Sequence, residues 1–310
     1  MRTLITGVTG MIGRELRSRI PESIGSSRNP TPDRFGPSAA RTIRWDPEAG
    51  VAPLAELGEL EAVIHLAGEP VAAGRWTTEP KRRMRDSRVI GTRNLVAGIE
   101  EMAHRPRVLI SASAVGYYGD RDDEVLTEGS RAGTGFLADV CAAWENEALA
   151  AEKLGVRVVC LRIGIALAQN DGALPRMLPP YRMGVGGRLG SGKQWMPWIH
   201  LDDVVGLTLH AVENEAVRGP MNAVAPNPAI STDFTRVLGR VLHRPTLFPV
   251  PIVALRVGFG EMSEVLLASQ RVMPTVAQKS GYEFHYSDLE SALEATLGSG
   301  ERSTTSALVR

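Results

Sequence analysis

The first fourteen residues, MRTLITGVTGMIGR, constrain this chain more than any other stretch. Residues 4–6 read as a short buried strand. Gly7, Gly10 and Gly13 follow at three-residue spacing, and Ile12, Leu16 and Ile20 recur every fourth residue on one helical face. A strand, a tight glycine turn and a helix opening form the geometry that binds a pyrophosphate. The first glycine lets the chain turn, the second lets the backbone approach the phosphates, and the third lets the helix pack on the strand. Gly7, Thr9, Gly10, Met11, Ile12 and Gly13 are therefore candidate cofactor-binding residues. The competing reading is a Gly-rich structural turn.

Composition narrows the class. At 310 residues the chain exceeds a usual single domain, and one α/β core with a smaller appended lobe fits it. The 35 basic and 35 acidic residues cancel, so no global charge points to nucleic acid or an anionic membrane. The N-terminus carries no secretory pattern, and no apolar run approaches the roughly 18 residues of a membrane span. Cys141 and Cys160 have no metal-ligand spacing and cannot build a disulfide framework, so a reduced cytoplasm and no metal are expected.

Residues 22–30 (ESIGSSRNP) contain a second strand ending near Ser27 and Arg28. An acidic residue at this point favours NAD by bonding the 2′-hydroxyl of the ribose, whereas an arginine accommodates the 2′-phosphate of NADP. The pattern favours NADP over NAD, against the alternative of a solvated loop arginine. Residues 29–40 read as a loop. A third strand, residues 41–46, ends at Asp46, which reads equally as a turn-starter before Pro47. Residues 62–66 form a continuous apolar run fit for a central parallel strand, and the small Ala67 and Gly68 at its end let a ligand approach.

A helix over residues 79–102 directs Met84, Leu95, Ile99 and Met102 inward. Residues 108–114 (VLISASA) are a buried strand, 136–152 a helix, and 156–167 a sixth strand carrying Arg162 and Gly164. Alternating strands and helices predict an α/β, Rossmann-like doubly wound parallel sheet. Glycine and proline thicken beyond residue 168, marking a loop-rich lobe. A helix over 201–213 opens on Asp202 and Asp203; another follows Ser231 as its cap, and the last begins at a Ser287/Glu290 capping box. The expected division is a dinucleotide-binding domain over 1–168, rejoined by about 199–226, a smaller lobe over 169–198 and 227–298, and a frayed tail over 299–310.

The G-x-x-G-x-x-G spacing of TGVTGMIG resembles that of extended short-chain dehydrogenases/reductases, which include nucleotide-sugar epimerases and dehydratases. HLAGEPVAAGRW, RDSRVIGT, SASAVGYYGD, MPWIHLDD and FGEMSEVLLASQRVMP, followed by GYEF, are similar over almost the whole chain to the "epimerase family" of atypical members. The resemblance implies a Rossmann domain with a small C-terminal domain of undefined role. Ser27, Arg28, Leu66, Ala67, Gly68 and Arg162 are read as further cofactor contacts, and the resemblance adds Asp46, as an adenine contact, and Arg88.

The wider superfamily also implies a tyrosine followed four residues later by a lysine on the helix after the fifth strand. The tyrosine is the acid/base, and the lysine favours its phenolate. That helix reads GFLADVCAAWENEA, and Leu137 and Cys141 stand at the aligned positions as packing residues. The chain has four lysines, and none follows a tyrosine by four. The remaining catalytic candidates are Ser113, which matches the superfamily's substrate-bonding serine, Tyr117 and Tyr118 on the loop beyond it, and His200, near Asp202. Each has a plain alternative: a packed lid for the tyrosines, a satisfied core residue for His200. Lys193, Trp195 and Trp198 suit a substrate pocket or an exposed loop.

Two functions remain open: an NADP-dependent epimerase or oxidoreductase acting on a small polar carbonyl- or sugar-type substrate, and a non-catalytic NADP(H)-binding sensor or scaffold. The glycine turn is common to both. Gly10→Val is expected to abolish dinucleotide binding, because a branched side chain would occupy the pyrophosphate position, while the fold survives. Unchanged NADPH affinity in a fluorescence titration, with unchanged circular dichroism, would refute the motif reading.

Overall fold

Three continuously buried stretches dictate the architecture. In the computed structural model, which describes residues 1–30, 41–71 and 74–305, TLIT, AVIH and the first six residues of VLISASA are buried without a break. Continuous burial marks parallel strands covered on both faces. With four more strands they form a seven-stranded sheet. In chain order these are β1 (Thr3–Thr6), β2 (Ile24–Ser27), β3 (Thr42–Arg44), β4 (Ala62–His65), β5 (Val108–Ala114), β6 (Arg157–Ile163) and β7 (Gly219–Ala223), arranged β3-β2-β1-β4-β5-β6-β7. The pairings of β1 with β2 and β4, of β2 with β3, and of β4 with β5 are parallel. The order reverses between β1 and β4. Open sheets of this kind bind ligands beside that switch, outside the carboxyl ends of the strands.

Four helices accompany the sheet: α1 (Met11–Arg19), α2 (Thr78–Glu100), α3 (Phe136–Leu149) and α4 (Leu201–Glu213). Leu95 and Ile99 of α2 and Ala148 of α3 pack with Leu4, Leu109 and Val158 of the strands. The helix expected over 136–152 instead tightens to a 3-10 turn at Ala150–Leu154, and Gly155 ends it at φ 82°. Arg157 closes the C-terminal end of α4: its guanidinium donates to the carbonyls of Ala211 (2.8 Å), Val212 (3.0 Å) and Val217 (2.7 Å). The last carbonyls of a helix have no intrahelical donors, and a cation there also complements the helix dipole.

The chain divides into two compact units, Met1–Tyr117 with Thr134–Arg162 and Val205–Met221, and Tyr118–Gly133 with Ile163–Val204 and Asn222–Arg310. In the second, Trp198, Phe234, Leu238, Tyr181 and Leu293 form the core. Here the sequence expectations need correction. Residues 156–167 are not one strand. Ile165–Leu167 leaves the large sheet and pairs in parallel with Trp198–His200. The break is at Gly164, whose N–H donates to Ala223 O at 3.0 Å. A side chain there would collide with the Pro197 carbonyl, so only glycine allows this approach.

Ser231 does not cap its helix. It is the first residue within Ser231–Val241, is buried, and donates its N–H to Gln194 O at 2.8 Å. The last helix, Leu289–Thr305, is capped one residue later than expected, by Asp288 Oδ2 accepting from Ser291 N at 3.0 Å. It runs past Gly298, where a frayed tail was expected. Residues 31–40 of the expected 29–40 loop lie outside the described residues.

One polar chain ties β1 to β4. Thr6 Oγ1 accepts from the N–H groups of Leu66 (3.1 Å) and Ala67 (3.2 Å) and lies 2.8 Å from His65 Nδ1. Since that oxygen already accepts twice, its hydrogen goes to Nδ1, which leaves Nε2–H to donate to Thr92 Oγ1 at 3.0 Å. His65 is fully buried, and desolvation pushes its pKa down from 6.5 to about 4. The imidazole is neutral in the folded protein wherever the unfolded chain would begin to protonate it.

Its contribution is therefore complete above pH 6.5 and lost as pH falls toward 4, the window in which the unfolded state binds the extra proton. At 1.36 kcal/mol per pKa unit the loss approaches about 3 kcal/mol. In urea unfolding followed at several pH values, the stability gap between the wild type and His65→Asn should narrow by that order across the window. A gap independent of pH would contradict the assignment.

Candidate cofactor and active site

Each glycine of the N-terminal turn has its own steric reason. Gly7 ends β1 at φ 69°, and a Cβ there would lie 2.7 Å from the carbonyl carbon and oxygen of Leu66. The first turn thus rests directly on the backbone that follows β4. Gly10 N donates to Gly7 O at 3.0 Å, and Gly10 O accepts from Arg14 N at 2.9 Å, opening α1. Gly10 is the N-cap and offers no side-chain hydrogen bond. At Gly13, a Cβ would lie 2.8 Å from Val8 Cα and collide with Gly7 O, so the helix seats against the turn only without one.

The result is a helix N-terminus beside the β1/β4 switch with no side chain over its cap. Met11 and Ile12 stand on its first turn, and Thr9 O accepts from Arg14 Nη1 at 2.5 Å. Free N–H groups and the positive end of a helix dipole suit a pyrophosphate, and a side chain at Gly10 would fill the space. The residues present fit a dinucleotide.

Around this cradle, Leu66 and Ala67 give their amides to Thr6, leaving their outer backbone as its edge. Ser27 ends β2, its Oγ accepting from Asn29 N at 3.3 Å, and Arg28 beyond it is exposed. Asp46 Oδ1 accepts from Glu48 N at 3.2 Å and its carbonyl from Ala49 N at 3.1 Å, the turn-starting role that Pro47 suggested. Burial, then Asp46, raises the Glu48 pKa, while Arg28 pulls the other way. Arg28 therefore sits within electrostatic reach of this carboxylate.

Arg88 is lodged under the loop after β4. Its Nη1 donates to Glu69 O (2.9 Å) and Met84 O (3.0 Å), and its guanidinium lies 5.1 Å from the Trp144 ring centroid. Glu69 N in turn donates to Ser87 Oγ at 3.0 Å. Ser87 and Arg88 together hold Gly68 in place from below.

A second group sits at the carboxyl ends of β5 and β6. Ser113 Oγ donates to Glu145 Oε1 at 2.6 Å. The Arg162 guanidinium grips the same carboxylate with both prongs, Nε to Oε1 and Nη2 to Oε2, each at 2.8 Å. Its flat face carries the Tyr117 ring, 3.5 Å from guanidinium carbon to centroid. Ser113, Glu145 and Arg162 are 3%, 6% and 3% exposed. Sequence reasoning named Ser113, Tyr117 and Arg162 and missed Glu145. The available signal was a carboxylate four residues after Cys141, within the stripe of Val140, Cys141, Trp144 and Ala148 that α3 buries. Cys141 itself is a packing residue: burial pushes its thiol up to about 11.

The other candidates lie in the second unit. Tyr118 is fully buried, its hydroxyl donating to Asn222 Oδ1 at 2.7 Å, so the structure gives it to packing rather than catalysis. Trp198 is likewise sealed, with Nε1 on Asn227 O at 3.1 Å, and leaves the list of pocket residues. His200 is buried; its Nδ1 accepts from Asp202 N at 3.1 Å and its ring lies 3.9 Å from that of Tyr286. Desolvation lowers its pKa against the pull of Asp202 and Asp203. Trp195 is half-buried, bonded to Asp123 Oδ1 at 2.5 Å and flanked by Arg271; Lys193 is exposed. Asp203, read from sequence only as a helix opening, anchors the C-terminal GYEFHY segment by accepting from Tyr282 Oη (3.0 Å), His285 N (2.8 Å) and Tyr286 N (2.9 Å).

Among the described residues no group of His, Cys, Asp and Glu could hold a metal ion, and no helix is long and apolar enough to cross a membrane.

Comparison with known proteins agrees with this geometry. The sequence model of the NAD dependent epimerase/dehydratase family matches residues 3–223, and a domain of unknown function, DUF1731, matches residues 250–296. An epimerase family protein of Mycobacterium leprae is 37% identical over 290 residues, covering 93% of both chains. The Arabidopsis thaliana epimerase family protein SDR39U1 homolog is 40% identical over 96% of this chain and 87% of its own. Among solved structures, human epimerase family protein SDR39U1 with NADPH is 31% identical, covers 96% of this chain and 99% of its own, and superposes with a TM-score of 0.85. UDP-glucuronic acid 4-epimerase from Bacillus cereus, with UDP-glucuronic acid and NAD, shares the fold at a TM-score of 0.75 and 17% identity, covering 97% of this chain and 99% of its own. With its Rossmann-like sheet, its glycine turn and its small C-terminal region, the chain belongs to the NAD dependent epimerase/dehydratase family, among the epimerase family proteins related to SDR39U1.

Proposed function

We propose that this protein binds NADP(H) at the glycine turn and acts as an oxidoreductase or epimerase on a small polar, carbonyl- or sugar-type substrate. The observation that carries the reading is the uncapped start of α1 over Gly7, Gly10 and Gly13 at the β1/β4 switch. Arg28 at the end of β2 supplies a guanidinium for the 2′-phosphate, and the NADPH bound by the human relative supports that choice. When bound, the nicotinamide supplies hydride transfer. The protein's part is to orient the substrate and to move a proton at the ends of β5 and β6. In this reading residues 1–168 and 199–226 carry the cofactor, with Asp46 at the adenine. Residues 169–198 and 227–298 carry the substrate, with Lys193 and Trp195 as contacts. The two buried free cysteines suit a reduced cytoplasm.

A second reading, a non-catalytic NADP(H) sensor or scaffold, is favoured by one observation on the sequence: none of its tyrosines is followed four residues later by a lysine. Steady oxidation of NADPH with at least one member of a carbonyl panel supports the enzyme. Tight NADPH binding without turnover supports the sensor.

Cofactor preference has its own test. Charge-assisted hydrogen bonds to a phosphate are worth about 1.5–3 kcal/mol, so Arg28→Ala should weaken NADPH binding roughly ten- to a hundredfold and leave NADH nearly unchanged. Equal losses for both cofactors, measured by calorimetric titration, would show that Arg28 does not read the 2′-phosphate.

A further inference from the structure

The chain lacks the tyrosine–lysine pair, yet it buries a hydroxyl, a carboxylate and a guanidinium in direct contact at the carboxyl ends of β5 and β6. We propose that Glu145, acting through Ser113, accepts and returns the proton of the reaction, with Arg162 and Tyr117 fixing its position. The proposal rests on the oxidoreductase reading above and supplies the proton donor that α3 otherwise lacks.

The hydrogen-bond inventory sets the direction. A guanidinium only donates, so both carboxyl oxygens gripped by Arg162 accept from its prongs. The Ser113 hydrogen therefore points at Glu145 Oε1, 2.6 Å away, which leaves the lone pairs of the Ser113 oxygen for a second partner. A substrate hydroxyl can donate there. Planarity matters as well: the two-pronged grip holds the carboxylate in one orientation, and the Tyr117 ring covers the guanidinium at 3.5 Å. Buried ion pairs add little to stability when compared with apolar packing, so stability alone does not account for this group.

Other titratable groups around Glu145 do not compete for the proton. Cys141 on the same helix and Cys160 on β6 both have thiols pushed up by burial, and Arg88 is engaged by the main chain of Glu69 and Met84. Tyr117 lies against Arg162. When an alcohol is oxidised, its O–H proton passes to Ser113 Oγ as the Ser113 proton passes to Glu145 Oε1. An oxidised nicotinamide, when bound, would be the co-reactant that accepts the C–H electron pair as hydride, leaving the carbonyl. Reduction starts from the form in which Glu145 has first taken a proton from solvent and then reverses every transfer, and an epimerisation uses both halves with no net proton.

Relay and independent roles differ in how their losses combine. NADPH and phenanthrene-9,10-quinone, an activated dicarbonyl, serve as the probe for wild type, Ser113→Ala, Glu145→Gln and the double variant. Acid–base groups contribute at least about a hundredfold, so each single variant should lose that order in kcat with KM for the quinone and Kd for NADPH little changed. If Glu145 acts only through Ser113, the double variant is no slower than the slower single one; multiplied losses, or Glu145→Gln at the wild-type rate, overturn the relay.

Because Glu145→Gln leaves a buried guanidinium without its counter-charge, two further measurements protect the test from misfolding. Ser113→Thr, which restores a hydroxyl, should recover most of the rate that Ser113→Ala loses, and a wild-type rate for Ser113→Ala overturns the proposal. In the cofactor-free protein, the Arg162 Nε–H resonance should be the same in wild type and Ser113→Ala and shift in a folded Glu145→Gln. A resonance indifferent to Glu145→Gln means that the grip is absent in solution. Wild type that binds NADPH but oxidises it with no carbonyl overturns the oxidoreductase reading and the relay with it. Wild-type turnover with multiplied losses removes the relay alone.

Discussion

The close approach of two backbone segments at the β1/β4 switch sets the geometry of the glycine turn. Gly7 turns at φ 69° against Leu66, at a separation that leaves no room for a side chain. Thr6 and His65 hold the two strand ends at that separation, with Thr92 of α2 closing the chain of hydrogen bonds. Each member of the chain is buried and satisfied, so it adds rigidity without leaving an unpaired polar group. The open start of α1 follows from it: the helix is placed by Gly13 against Val8 and capped by a residue with no side chain.

At the carboxyl ends of β5 and β6 the same sheet brings a buried carboxylate, a hydroxyl and a guanidinium together. Cys141 and Leu137 occupy one turn of α3 with apolar bulk, and Glu145, one turn further on, brings a carboxylate back to the end of β5. Burying Glu145 is tolerable because Arg162 and Ser113 are already there. Removing one partner of such a pair is strongly destabilising, typically by about 3–5 kcal/mol, whereas exchanging both for apolar residues is often neutral. Nothing in packing alone therefore requires the group to be ionic, which is consistent with a role in chemistry.

Much of this was legible in the sequence, for a physical reason. Runs such as residues 62–66 and 108–112, apolar but for His65 and Ser111, and three glycines between a strand and a helix, have few alternative folds. The strand ends at Ser27 and Ala114 emerged within a residue of expectation. What the pattern hid were contacts between residues far apart in the chain. Glu145 and Arg162 are 17 positions apart, and Thr6 and His65 are 59, so only the folded sheet brings them together. Caps failed for the opposite reason: Ser231, Ser287 and Asp288 are all competent cap residues, and the choice among them was made by where Gln194 and the helix itself sit. The break at Gly164 was invisible because apolar residues continue through it and its cause is a carbonyl 33 residues away, at Pro197.

The proposed dinucleotide site joins the glycine turn, the loop after β4 and the end of β2. A backbone ¹H–¹⁵N spectrum recorded with and without NADPH tests it without a substrate. Saturable shifts are expected at Gly7, Gly10, Met11, Ile12 and Gly13, at Leu66 to Gly68, and at Ser27 and Arg28. NADPH that binds while those amides stay where they were, with its shifts elsewhere in the chain, would rule this site out.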